Sequence, residues 1–82
     1  MDRFTDMNAS AYTDRFGRVD IFLASVDEVT VSNSHGKIAE GVWCEQGLLD
    51  FDFVAPFDNG VEERSYRKLR DAVEEAIERK LR

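Results

Sequence analysis

Apolar and polar positions follow two different periods along this chain. From Gly60 to Leu81 there is no proline and no internal glycine. Tyr66, Leu69, Val73, Ala76, Ile77 and Leu81 fall on one face of a helix. Asp58-Asn59-Gly60 supplies a start, and Asn59 with Glu62 three residues later has the form of a capping-box variant. Pro56, just upstream, ends whatever precedes it. Glu63 and Arg67, Glu75 and Arg79, and Glu78 and Arg82 are i,i+4 pairs in the favourable order. The middle of the chain instead alternates with a period of two. Leu49, Phe51 and Phe53 are separated by Asp50 and Asp52, and Val29 and Val31 lie among Glu28, Thr30 and Ser32. These runs predict strands. Asn33-Ser34-His35-Gly36 reads as one hairpin turn and Gln46-Gly47 as a two-residue loop, with Lys37 to Glu45 the strand shared by both.

Those turns imply a register. With Gln46-Gly47 as the loop, Cys44 opposes Leu49, Trp43 opposes Asp50 and Val42 opposes Phe51. With Asn33 to Gly36 as the other loop, Val31 opposes Ile38. Opposed residues share a face of the sheet, so Val29, Val31, Ile38, Val42, Cys44, Leu49, Phe51 and Phe53 would face the core. Glu28, Thr30, Lys37, Ala39, Gly41, Trp43, Glu45, Asp50 and Asp52 would face away. Glu40 is the misfit on the apolar side. A slip of one residue would undo the sorting.

The first third allows two readings. Arg18 to Ser25 is rich in β-formers, which makes Asp14-Arg15-Phe16-Gly17 a turn after a short edge strand from Ala9 to Thr13. Tyr12, Phe16, Val19, Leu23 and Val26 also fit helical spacing, although Gly17 and the β-branched content oppose a helix over 12–26. The strand reading is preferred. Residues 1–8 read as a loose end, and Met7 is an alternative start. The fold expected is a single α+β domain over residues 1–82. An antiparallel meander of four to five strands (9–54) is packed on one face by a single long C-terminal helix (60–81).

Charge changes this picture by giving it a location. The 82 residues carry 17 acids, 11 Lys plus Arg and a formal charge of −6. Residues 1–19 are neutral, 61–82 carry +1 and 20–60 carry −7, so the deficit lies on the predicted strands. Such acidity argues against nonspecific nucleic-acid binding, which uses Lys and Arg to neutralise phosphates. An apolar content of 43% is too high for a wholly disordered chain, and no apolar run approaches a membrane span. Met1-Asp2-Arg3-Phe4 has neither the basic start nor the apolar core of a signal peptide. A single cysteine cannot close an internal disulfide. These features together lead to the expectation of a cytoplasmic protein.

Candidate chemistry is sparse. His35 sits in a polar turn without a second ligand, and Cys44 lies on the expected core face, where it acts as a small apolar group. Asn8-Ala9-Ser10 has the glycosylation pattern without a secretion signal. Arg64, Arg67, Lys68 and Arg70 are interleaved with acids, as on a solvated, salt-bridged helix face. Asp50 and Asp52 point the same way on one strand, but no calcium loop or third ligand accompanies them. No nucleophile–base pair, phosphate loop, metal cluster or cofactor fingerprint is visible, so neither an enzyme nor a cofactor or metal is expected. Trp43 is more informative. In the register above it faces away from the helix among Glu28, Glu45, Asp50 and Asp52, where an exposed tryptophan ringed by carboxylates suits a protein interface. Alternatively, residues 1–16 fold over it.

The expected function is therefore that of a non-catalytic protein-binding domain whose partner is basic. The expected partner-binding residues are Glu28, Trp43, Glu45, Asp50 and Asp52. A basic surface of that kind often binds nucleic acid, and rows of carboxylates can take the place of phosphates upon it. In size, acidity and absence of catalytic motifs the chain resembles the small phage-encoded anti-defence proteins, including anti-CRISPR proteins. The resemblance implies an inhibitor of a nucleic-acid-binding complex, acting in the host cytoplasm as a partial nucleic-acid mimic. It implies no particular fold and no site residue. The alternative is a homodimeric structural or accessory protein that pairs through the open sheet face or a sheet edge.

Overall fold

The computed structural model describes residues 7–24, 27–55, 57–58 and 60–81. Five antiparallel strands run in chain order, β1 (Met7–Thr13), β2 (Gly17–Leu23), β3 (Glu28–Asn33), β4 (Gly36–Cys44) and β5 (Gly47–Phe53), and are followed by one helix, α1 (Glu63–Leu81). This is an α+β meander with a C-terminal helix. Within 12–26, residues 12–13 and 17–23 are strand joined by a turn at 14–16, and residues 25 and 26 lie outside those described. Thr13 Oγ1 accepts a hydrogen bond from the Phe16 N–H at 3.1 Å, and Gly17 takes a φ of 69°, which closes the β1–β2 turn. The helix begins three residues later than its pattern predicts. Gly60 has a φ of 73° and Glu62 O accepts the first helical bond, from Tyr66 N–H at 3.1 Å. Pro56, Asn59 and Arg82 lie outside the described residues, and with them the proline stop, the capping box and the Glu78–Arg82 pair. The Glu63–Arg67 and Glu75–Arg79 pairs form at 2.6 and 2.9 Å.

The core lies between one face of the sheet and the helix. Val19, Ile21, Leu23, Val29, Val31, Ala39, Trp43, Leu48, Phe51 and Phe53 meet Leu69, Val73, Ala76 and Ile77. Burying a side chain of this size contributes about 1.5–3 kcal/mol. Leu81, expected on the same stripe, is exposed in the last turn. The sheet is curled, because Phe16 from the β1–β2 turn reaches Phe53 of β5 with ring centroids 5.5 Å apart. Tyr66 of the helix joins them, 5.9 Å from Phe53 and 5.8 Å from Phe51.

Two irregularities overturn the expected register. The β4–β5 loop is Glu45-Gln46, with Cys44 opposite Gly47 and Trp43 opposite Leu48. The loop thus sits one residue earlier than expected, which exchanges the two faces of β4. The pairing then slips between Glu40 and Val42, with Asp50 at a φ of 52°, and this bulge returns Phe51 and Phe53 to the core. On the other side of β4, Ser32 opposes Lys37 but Val31 opposes Ala39, because a second bulge accommodates Ile38. Ala39 and Trp43 therefore face the helix, while Val42 and Leu49 face away. Glu40 is no longer a misfit. It is on the outer face, opposite Thr30 and Asp52.

The free edge of β5 is closed by the helix. Glu74 Oε2 accepts the Leu48 N–H at 3.1 Å, an Arg70 N–H donates to Leu48 O at 2.9 Å, and the Tyr66 hydroxyl donates to Phe51 O at 2.7 Å. Three helix side chains thus occupy the place of a sixth strand. Gly47, at a φ of 108°, leaves room for this, since a Cβ there would collide with the Glu74 carboxylate. We expect Glu74→Ala to cost about 1–3 kcal/mol, the penalty for leaving a buried donor unpaired. Tyr66→Phe should cost about 1 kcal/mol. Urea unfolding of both variants measures these losses.

Candidate functional site

The face of the sheet turned away from α1 is built in three rows by the strand pairing. One row runs Glu28, Val42, Leu49 across β3, β4 and β5. The next runs Asn8, Phe22, Thr30, Glu40, Asp52 across all five strands. The third runs Ser10, Asp20, Ser32, Lys37. Opposed Cα atoms in such rows are roughly 4.5–5.5 Å apart, and successive rows are roughly 7 Å apart. Phe22, Val42 and Leu49 remain 38, 41 and 41% exposed, although the packed alternative on the inner face was open to each strand. Val42 and Leu49 are direct neighbours. Phe22 stands two strands away across Thr30 and Glu28.

Carboxylates border these apolar side chains. Glu28 stands beside Val42, while Glu40 and Asp52 oppose each other in the adjacent row. Lys37 binds Glu40, and that hydrogen bond, against the opposing effect of desolvation and with the fields of Glu40 and Glu28, holds the Lys37 ammonium above its ordinary range. Asp20 is 3.7 Å from Arg18, an exposed pair worth little to stability. Asp52 Oδ1 accepts the N–H of Phe53 at 2.9 Å, which fixes its rotamer on the strand.

The residues singled out from sequence divide accordingly. Glu28 and Asp52 share the outer face. Asp50 is exposed at the β5 bulge, and Glu45 is exposed in the β4–β5 turn, beyond the end of the rows. Trp43 does not join them. It is only 8% exposed and lies in the core beneath the helix. The one-residue shift of the loop turned it inward, so it is neither ringed by carboxylates nor in need of cover from residues 1–16. Sequence reasoning placed Val42 and Leu49 in the core and did not single out Phe22 or Glu40. Two signals were available. Glu40 was stranded on an apolar face, and Leu48-Leu49 offers an apolar residue to either side.

Other chemistry is dispersed. His35 is exposed in the β3–β4 turn, where its N–H donates to Asn33 Oδ1 at 2.8 Å as in an Asx turn. Cys44 is half-buried at the opposite end of β4, with Sγ 4.0 Å from Gln46 Oε1. A strand of nine residues separates the two by roughly 25 Å, too far for a nucleophile–base pair. Among the described residues no group of three or more His, Cys, Asp or Glu is placed to hold a metal ion. No helix among them is long and apolar enough to cross a membrane. Compared with known protein families, curated proteins and solved structures, the chain matches none.

Trp43 is the sole tryptophan and reports directly on this geometry. Its native emission should be blue-shifted and resist quenching by iodide, then shift red in urea. An iodide-accessible native tryptophan would return it to the open face.

Proposed function

We propose that this chain is a non-catalytic protein-binding domain whose open sheet face docks on a basic protein surface. One observation carries the reading. Phe22, Val42 and Leu49 are exposed on a face whose remaining positions include Glu28, Glu40, Asp52 and Asp20. Apolar groups supply the area that binding removes from water, and the surrounding carboxylates steer a cationic partner and reject an anionic one. The role that Trp43 was expected to fill passes to Leu49, Val42 and Phe22. The finer proposal is that the partner surface normally holds nucleic acid. Carboxylates on neighbouring strands, in rows roughly 7 Å apart, would then stand in for phosphates, as expected of a small anti-defence inhibitor acting in the cytoplasm.

The test uses the immobilised chain to capture proteins from a lysate of its source cells, beside a Glu28→Lys/Asp52→Lys double variant. Capture of a basic protein should fall at least about tenfold with the double variant and with 0.5 M salt, in keeping with an electrostatically steered interface. Leu49→Ala should weaken it by about 1–2 kcal/mol if this side chain anchors the contact. All three positions are exposed, so unfolding curves should change little. Excess duplex nucleic acid should release the captured protein. Capture that survives both charge reversals and salt would refute the acidic face as the site. Capture that survives only the nucleic acid would refute the mimicry alone.

A further inference from the structure

The outer face has a shape as well as a charge. Phe16 belongs to the β1–β2 turn and Phe53 to β5. In a flat sheet three strand spacings, roughly 14 Å, would lie between them. Their rings are instead 5.5 Å apart on the side packed by the helix. The inner face is therefore concave and the outer face convex. A convex face offers no trough in which a peptide or a helix could lie. It fits a partner that is itself concave.

On that convex surface two pairs stand side by side. Val42 opposes Leu49, and in the next row Glu40 opposes Asp52. The members of a pair are roughly 5 Å apart, and the rows are roughly 7 Å apart. Leu49 and Asp52 are an odd number of residues apart, so they share a face only because of the bulge at Asp50. Glu28 adjoins Val42, and Phe22 lies beyond Thr30. Lys37 holds Glu40, whereas no Lys or Arg among the described residues bonds Glu28 or Asp52. The carboxylates of β3, β4 and β5 thus form one file. Farther along the strands the positions are Ser32, Lys37, Asp20 and Arg18, where Arg18 lies against Asp20. Toward the β4–β5 turn the rows end at Cys44 and Gly47, and Glu45 is the one acid of that turn. No second file runs parallel to the first.

We propose that the concave partner is a protein groove for single-stranded nucleic acid, an inference that rests on reading this face as the dock for a basic protein. Surfaces for duplex and for single strands differ in what they offer. A duplex-binding surface grips the backbone with Lys, Arg and polar donors, and it meets phosphates on both sides of a groove roughly 6 or 12 Å wide. It provides no seat for Val42 and Leu49, and it calls for two files of carboxylates where this face has one. A single-strand groove sets aromatic side chains, on which bases stack, beside a cationic track. There the Val42–Leu49 pair, with Phe22 at its margin, covers the aromatic platform in place of bases. Glu28 and Asp52 meet the track in place of phosphates. The apolar and acidic groups lie as close together on this face as base and phosphate do on one strand.

Competition on the immobilised chain tests the assignment. The basic protein it retains is challenged with an oligothymidylate of about 16 nucleotides, the upper site size of one single-strand-binding fold, and with a duplex of equal phosphate number. The single strand should release it at a concentration at least about tenfold lower, the weight of one stacked base. The duplex should act only in large excess. A Val42→Thr/Leu49→Ser variant removes the apolar pair and no charge. Its capture should fall about tenfold, while the salt dependence of what remains is unchanged, and circular dichroism verifies its fold. Equal release by both nucleic acids, or undiminished capture by that variant, would overturn the single-strand groove and leave a basic partner standing. So would capture that neither nucleic acid releases but that Glu28→Lys/Asp52→Lys abolishes. Capture indifferent to that charge reversal, or no capture of a basic protein, would remove the docking face and this inference with it.

Discussion

The arrangement of this protein depends on the left-handed backbone of Asp50. A strand has a period of two, so one extra residue exchanges the two faces of everything beyond it. The Glu45-Gln46 loop places Leu48 and Trp43 inward. Continued regularly, the same strand would turn Phe51 and Phe53 to solvent and bring Asp50 and Asp52 beneath the helix. Burying two unpaired carboxylates would cost several kcal/mol each. The bulge, at a φ of 52°, avoids this with a single strained residue, and aspartate is among the few non-glycine residues that tolerate the left-handed region. Trp43, Leu48, Phe51 and Phe53 can then share one core.

The same stretch of β5 links the core to the edge. Once Leu48 faces inward, its backbone groups point away from β4 and must find partners elsewhere. Glu74 and Arg70 supply them, 3.9 Å from each other as well. Gly47 is needed twice, for its φ of 108° and for the space that Glu74 occupies. The helix is therefore more than an apolar lid. Its backbone approaches β1 most closely, and its half-buried polar side chains reach across to bond the edge of β5.

Much of the architecture was legible because it rests on long periodic signals. Leu69, Val73, Ala76 and Ile77 announce the helix, and the turns at Phe16-Gly17 and Ser34-His35 announce hairpins. What was not legible was local and depended on single residues. Gln46-Gly47 and Glu45-Gln46 are both acceptable loops, and Leu48-Leu49 satisfies either by placing an apolar side chain inward. The bulges at Ile38 and Asp50 leave no compositional trace. The candidate site inherited that ambiguity. Glu28 and Asp52 kept their places because β3 and the far half of β5 lie outside the exchanged segment, whereas Trp43, Val42 and Leu49 lie within it. The acids were thus placed from sequence, and the apolar residues among them were not.

The charge distribution gives the acidic face a direction. Apart from Asp58, the acids of residues 20–60 fall on β2 to β5 and their turns, while β1 is uncharged. Acidity on the outer face is therefore weighted toward β3, β4 and β5, where Glu28, Glu40 and Asp52 adjoin Val42 and Leu49. The β1 side of the same face carries Asn8 and Ser10 and has no charge of its own strand to add. On the proposed reading, a cationic partner would be drawn to the β3–β5 half of the sheet, because carboxylates steer the approach while apolar side chains supply the area removed from water. Val42 and Leu49 stand where both conditions are met, and Phe22, two strands away, lies at the margin of that half.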